Sequence, residues 1–210
     1  MTTNKNLLSS VLSNQFIWDI CQLIFGANGE KRKIYRSVIT NQGRLLDFGC
    51  ANGNTFPAFK DFQYYGVDLD KIVIASANSK YSAFSNAHFF CQNILKKPLQ
   101  KNYFDNILFA CTGHHLNDTN LTEIVKTLSL TLKKGGHLHF FDMIRTDKDS
   151  SLLKLILNLD QGKYIRFEKQ IQKIIKLFPK SLILNNKQIF NIKTFLIPKP
   201  KLIYYQFKKI

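Results

Sequence analysis

Through the middle of this chain, short apolar runs rich in aromatic and β-branched residues alternate with longer segments of helical spacing. "RLLDF", "YYGVD", "AHFFCQ", "NILFAC" and "HLHFFD" read as strands. "FPAFKDF", "KIVIASANSKYSAF" and "NLTEIVKTLSLTLKK" read as the helices between them. Asp118, Thr119 and Asn120 supply N-cap chemistry to the last helix, and Gly135-Gly136 is expected to stop it. Alternation of this kind calls for a parallel sheet covered on both faces. Ahead of it, residues 5–25 and 29–40 suggest two helices. Behind it, "SSLLKLILNL" and "FEKQIQKIIKLF" read as helices, then "KSLILNNKQIFNI" and "KLIYYQFKK" as strands. Two late strands with no helix between them imply an antiparallel finish to the sheet.

A chain of 210 residues, 45% of them apolar, can bury one good core, and neither a repeat nor a long linker divides it. The expected organisation is a single domain, with N-terminal helices over 1–42, a core over 43–145 and further helices and strands over 146–210. No apolar run reaches the roughly 18 residues of a membrane span. "FIWDICQLIFG" does not read as a signal peptide, since Asp19 and Gln22 interrupt it. Cys21, Cys50, Cys91 and Cys111 lie far apart without a C-x-x-C pair, which points to reduced thiols in a cytoplasmic protein and to no metal.

The formal charge of +16 is uneven: residues 151–210 hold thirteen Lys or Arg against Asp160 and Glu168. Attraction to an anionic membrane, an acidic substrate or nucleic acid is one explanation. Compositional bias is the other. Lys, Asn and Ile are all abundant, while arginine, which phosphate recognition favours, numbers only five.

"RLLDFGCANGNTFPAF", Arg44 to Phe59, concentrates the chemistry. A glycine turn between a strand and a helix lets backbone approach a ligand, with helix N–H groups facing it. A dinucleotide fingerprint laid on Gly49 fails at Ala51 and Asn54, and no G-K-[ST] follows for a phosphate loop. What remains is D-x-G-x-x-x-G, with Asp47, Gly49 and Gly53. An acid there suits a cationic or amine-bearing ligand better than a pyrophosphate. Asp68, which ends "YYGVD" 21 residues after Asp47, is placed to accept hydrogen bonds from both hydroxyls of a ribose. Asp70 is the better helix cap.

In this order and spacing, residues 43–145 resemble the class I S-adenosylmethionine-dependent methyltransferases. "LLDFGCANG" is similar to the family's glycine motif, "YYGVDLD" to its ribose-binding acid and "FFCQNIL" to its adenine-contacting segment. "YFDNILFACTGHHLND" is similar to the fourth strand with the "HHL" continuation of a small-molecule branch, and "LTLKKGGHLHFFDMI" to the GG turn and fifth strand. The resemblance implies an α/β fold: a Rossmann-like, seven-stranded mixed sheet, parallel with an antiparallel final strand, flanked by helices and lidded by the N-terminal ones. It implies S-adenosyl-L-methionine as cofactor and S-adenosyl-L-homocysteine as product. Asp47, Gly49, Cys50, Ala51 and Gly53 would then line the methionine end, and Asp68 and Leu69 the ribose and adenine. Asn93 and Ile94 would flank the adenine, with Ala110 and Cys111 ending strand four beneath the cofactor. Asn93 stands where the family often has Asp, so its carbonyl is expected to accept from the adenine amine.

Methyl transfer to a hydroxyl needs an aligned nucleophile and a group to take its proton. His114 and His115, just past strand four, and Asp142, ending strand five, are the candidates, again by the family's habit of pairing such a His and Asp. His137 and His139 alternate along strand five and read as structural. On the acceptor side the resemblance places Met143, Tyr164 and Arg166, the last pairing an anionic group. Trp18, Asp19 and Gln22 would belong to the lid. A small-molecule or lipid-like acceptor, methylated at O or N, is the expectation. Nucleic-acid methylation is the first alternative, against which stand the missing N-P-P-[YF] and Pro-Cys motifs. A cofactor-binding domain without catalysis is the second.

Overall fold

The computed structural model describes residues 27–159, 162–193 and 200–210. Helix α1 (Ala27–Val38) leads into β1 (Arg44–Phe48), β2 (Gln63–Asp68), α2 (Lys71–Lys80), β3 (Ala87–Cys91) and β4 (Phe104–Ala110). Then come α3 (Asp118–Thr131), β5 (Leu132–Arg145), α4 (Ser151–Leu159), the two-residue β6 (Arg166–Phe167), α5 (Glu168–Ile175), β7 (Leu182–Asn191) and β8 (Lys201–Lys209).

The main strands form one sheet in the order β3-β2-β1-β4-β5-β8-β7. Strands β1 to β5 are parallel, and β8 runs antiparallel to both β5 and β7. This is the mixed sheet with an antiparallel final strand that the sequence implies. Strand order reverses at β1, which has β2 on one side and β4 on the other, so a crevice opens at the carboxyl ends of these strands. β6 adds to β5 at Ile144 and Arg145, beyond the last residue that β4 pairs.

Apolar side chains cover both faces, as a parallel sheet requires. One face packs against α1, α2 and α4 through Tyr35, Ile39, Ile74, Ala77, Leu153 and Leu157. The other packs against α3 and α5 through Leu121, Val125, Leu128, Ile171 and Ile174.

Three local expectations are corrected. "FPAFKDF" forms only a 3-10 turn, Phe56–Ala58. Phe56, Phe59 and Phe62, all buried, recur every three residues, which is the period of a three-residue turn and not of an α-helix. The backbone obeys that period: Gly53 N–H donates to Cys50, Phe56 to Gly53, Phe59 to Phe56 and Phe62 to Phe59. Helix α3 ends at Thr131, before Gly135-Gly136, because its continuation pairs with Phe104 as the start of β5. Its N-cap is Asn117, whose side chain accepts from Asn120 N–H, which leaves Asp118 for other work.

Candidate active site

The carboxyl edge of the sheet holds most of the residues singled out by sequence. Asp47, at the end of β1, is buried, and its Oδ2 accepts from the hydroxyls of Tyr64 and Thr55, which are 2.7 Å from each other. Burial pushes its carboxyl up to about 6, against the pull of those two donors. Neither donor was singled out in the sequence; Tyr64 is visible there only as the inward residue of the "YY" pair in β2.

The chain leaves β1 through Gly49, Ala51 and Gly53, all with positive φ. A side chain at Gly49 would come within 2.3 Å of the Thr112 hydroxyl, so a glycine lets this loop lie against the turn after β4. Gly49 and Cys50 N–H both donate to Val67 O, which ties the loop to β2. The cofactor loop is therefore built from backbone turns, without a following α-helix terminus. Cys50 is buried, which pushes its thiol far up and leaves it inert.

Asp68 is half-buried beside this loop. Its Oδ2 accepts from Ala51 N–H at 2.9 Å and its Oδ1 from Asp70 N–H at 3.0 Å. Each carboxylate oxygen keeps a lone pair for an outside donor. Asp70 caps α2 through Ile72 and Val73 N–H, as expected. Next to Asp68, Leu69 is 68% exposed. Ile94 is buried, but the Asn93 carbonyl accepts from Leu95 and Lys96 N–H at 3.0 and 3.3 Å. That oxygen is therefore already engaged within its own turn, against the expectation that it accepts from an adenine amine. Ala110 ends β4, and Cys111 follows it with φ +52. Its sulfur is 3.4 Å from the Tyr35 hydroxyl. Tyr35 reaches this edge from α1, and burial, then Cys111, Asp47 and Asp142 in turn, hold its hydroxyl protonated.

Of the two adjacent histidines, the structure pairs His114 with Asp142. Nδ1 donates to Asp142 Oδ1 at 2.5 Å, and both side chains are buried. The same oxygen accepts from Met143 N–H at 3.0 Å. A side chain at Gly113 would meet Asp142 Oδ2 at 2.6 Å, so only glycine lets the turn come this close. His115 is exposed, its ring 4.4 Å from that of His114. Met143 is buried in β5, and Tyr164, which is 41% exposed, donates its N–H to His114 O at 2.9 Å.

Arg166 corrects another expectation. It is 6% exposed and spends all five of its N–H donors inside the chain. Nε and Nη2 bond Asp118 Oδ1 at 3.0 and 2.7 Å, Nη1 bonds Gly113 O and Tyr164 O, and Nη2 also bonds Leu116 O. None is left for an anionic acceptor. The guanidinium instead fastens β6 to the turn that carries His114 and to the start of α3. His139 is structural: buried, with Nδ1 2.9 Å from the Tyr204 hydroxyl and Nε2 3.3 Å from Asn106 Oδ1, and lowered to about 3 by burial. Trp18, Asp19 and Gln22 lie outside the described residues.

Residues 45–136 match the model of the methyltransferase domain family. No curated protein matches the chain. Among solved structures, the geranyl diphosphate C-methyltransferase of Streptomyces coelicolor A3(2) is 13% identical, with a TM-score of 0.66 over 87% of this chain and 77% of that one. The PH0226 protein of Pyrococcus horikoshii OT3 is 15% identical, with a TM-score of 0.67 over 95% and 93%. The [4+2]-cyclase SpnF is 14% identical, with a TM-score of 0.67 over 88% and 81%. The family match thus covers the core of the sheet, residues 45–136, and the chain as a whole shares the fold of these structures.

Proposed function

We propose that the chain transfers a methyl group from S-adenosylmethionine to a hydroxyl of a small molecule, with the His114–Asp142 pair taking the acceptor's proton. The observation that carries the reading is that pair, held at 2.5 Å on the same sheet edge as Asp47 and Asp68.

The donor set suits the cofactor. Asp68 offers both carboxylate oxygens to vicinal hydroxyls, and its own ties to Ala51 and Asp70 N–H fix their direction. Asp47 offers a buried negative charge toward a cationic ligand end, and the positive-φ loop lets backbone approach. When bound, the cofactor supplies an electrophilic methyl group. The residues of this chain orient, exclude water and handle one proton.

Asp142 accepts the Nδ1 proton of His114, which leaves Nε2 as the basic nitrogen. As the imidazole takes a proton at Nε2, the adjoining carboxylate stabilises the cation that forms. Because His114 is buried, its ring meets only an acceptor drawn below the surface. That supports a small molecule over a nucleic acid or a folded protein, and O over N as the atom whose proton needs removal. Tyr164 is the half-open neighbour on the acceptor side. The same fold serves a [4+2]-cyclase as well as methyltransferases, so turnover must be read directly. Incubation with isotopically methyl-labelled cofactor and a panel of hydroxyl-bearing small molecules should label one of them and release S-adenosylhomocysteine. Transfer that persists at the full rate in His114→Gln would overturn the role of the pair. Cofactor binding with no transfer to any class of acceptor would leave the non-catalytic reading.

A further inference from the structure

The opposite edge of the sheet carries a different kind of surface. Around the start of β5, the end of β8 and the start of β7, Lys101, Lys134, Lys180 and Lys208 are exposed. Hydrogen bonds join this rim into one piece: Lys209 Nζ bonds Asn102 and Leu132 O, and Ile210 N–H bonds Ser181 O. Of the described acids only Asp61 and Asp105 sit at this end of the sheet, and each is paired with a cation, Arg36 and Lys133. The same end of the sheet carries large apolar side chains open to solvent: Leu177, just past α5, at 65%, Ile183, cross-strand partner of Lys208, at 50% and Ile210 at 60%.

We propose that this edge docks the protein on an anionic phospholipid bilayer. Lysines alone would suit any polyanion, but exposed leucine and isoleucine among them do not suit a nucleic acid, whose surface is phosphate and sugar. They suit a bilayer, where apolar side chains enter the headgroup boundary while lysine stems extend their charges to the lipid phosphates. The cations of this rim are lysines, whereas forked recognition of nucleic-acid phosphates favours arginine. The pose has a consequence for substrate. Lys208 pairs with His137, five residues before Asp142 on β5, or roughly 17 Å along the strand. The His114–Asp142 pair thus faces away from the docked membrane, and the acceptor arrives from the aqueous side rather than from the bilayer beneath.

Sedimentation with phosphatidylcholine vesicles, with and without phosphatidylserine, tests this on the full chain. Binding is expected only with phosphatidylserine and should fall steeply with salt. Each lysine near an anionic surface contributes roughly fivefold, so Lys134→Gln, Lys180→Gln and Lys208→Gln together should weaken binding about a hundredfold. Leu177→Ser with Ile210→Ser should also weaken it at constant charge. Unchanged cofactor affinity in both variants shows that they are folded. Equal recovery with neutral and acidic vesicles, or none with either, overturns the proposal. So does binding to a DNA duplex that is as tight as to vesicles and indifferent to Leu177 and Ile210, which would make the rim a nucleic-acid surface.

Discussion

The two edges of the sheet are built from the same alternation of strand and helix, yet the acids of the site gather at one and a group of exposed lysines at the other. At the carboxyl ends stand Asp47, Asp68, Asp70, Asp118 and Asp142; at the amino ends stand Lys101, Lys133, Lys134, Lys208 and Lys209. A parallel sheet makes such segregation possible, because every β1-to-β5 strand ends on one side. The difference also lies in how each charge is held. On the carboxyl edge each acid is held by named partners, backbone N–H groups, hydroxyls, His114 or Arg166, as a site that must keep its geometry requires. On the other edge most lysines simply stand in solvent, as a surface that works by net charge allows.

The largest expected effect on this comparison is catalytic. His114→Ala should lower turnover by about a hundredfold to ten-thousandfold and leave cofactor affinity nearly intact, read by steady-state kinetics beside calorimetry. Arg166→Ala comes next, as a stability effect of about 3 kcal/mol, since it takes the donor from three carbonyls around the His114 turn, those of Gly113, Leu116 and Tyr164. The shift in denaturant midpoint reads it, and Arg166→Lys should recover only part, having three donors in place of five.

Asp47 offers a pH test with a definite sign. Its folded value of about 6 lies above its ordinary 3.8, so the contribution of Asp47 to stability is greatest below 3.8 and is lost as pH rises toward and through 6. Asp47→Asn should therefore be more stable than the native chain at pH 8, by about 3 kcal/mol, and lose that advantage by pH 4. Thermal melts at both pH values check it. The smallest effect is on the lysine edge. Burial chiefly, and Lys208 next, lower His137; Lys208→Gln should raise it toward the ordinary value, seen by NMR titration, with no change in cofactor affinity.

Much of this was legible in the sequence, for physical reasons that differ by element. The strands of the parallel core are short apolar runs that can satisfy themselves only side by side, and the antiparallel finish follows from two strands with no helix between them. Asp47, Asp68, His114 and Asp142 fall on one edge simply because they end strands or follow them. What escaped was governed by contacts distant in sequence. The three-residue spacing of Phe56, Phe59 and Phe62 is printed in the chain, but its meaning depends on the aromatic nest of Tyr64, Tyr81, Phe84 and Phe89 around Phe56. Arg166 looks like any cation near an acceptor pocket until Asp118 is brought beside it from 48 residues away. Tyr35, which the fold carries to Cys111, has no local signal beyond its place on the inner face of α1.

Calorimetric titration of S-adenosylmethionine into the native chain and into Asp68→Ala tests the central claim most directly. The native chain should bind it, and loss of a hydrogen-bonding carboxylate should cost roughly 1.5 to 3 kcal/mol, or about ten- to 150-fold in affinity. Absence of binding to the native chain, or tight binding of NAD in its place, would contradict the assignment of this edge.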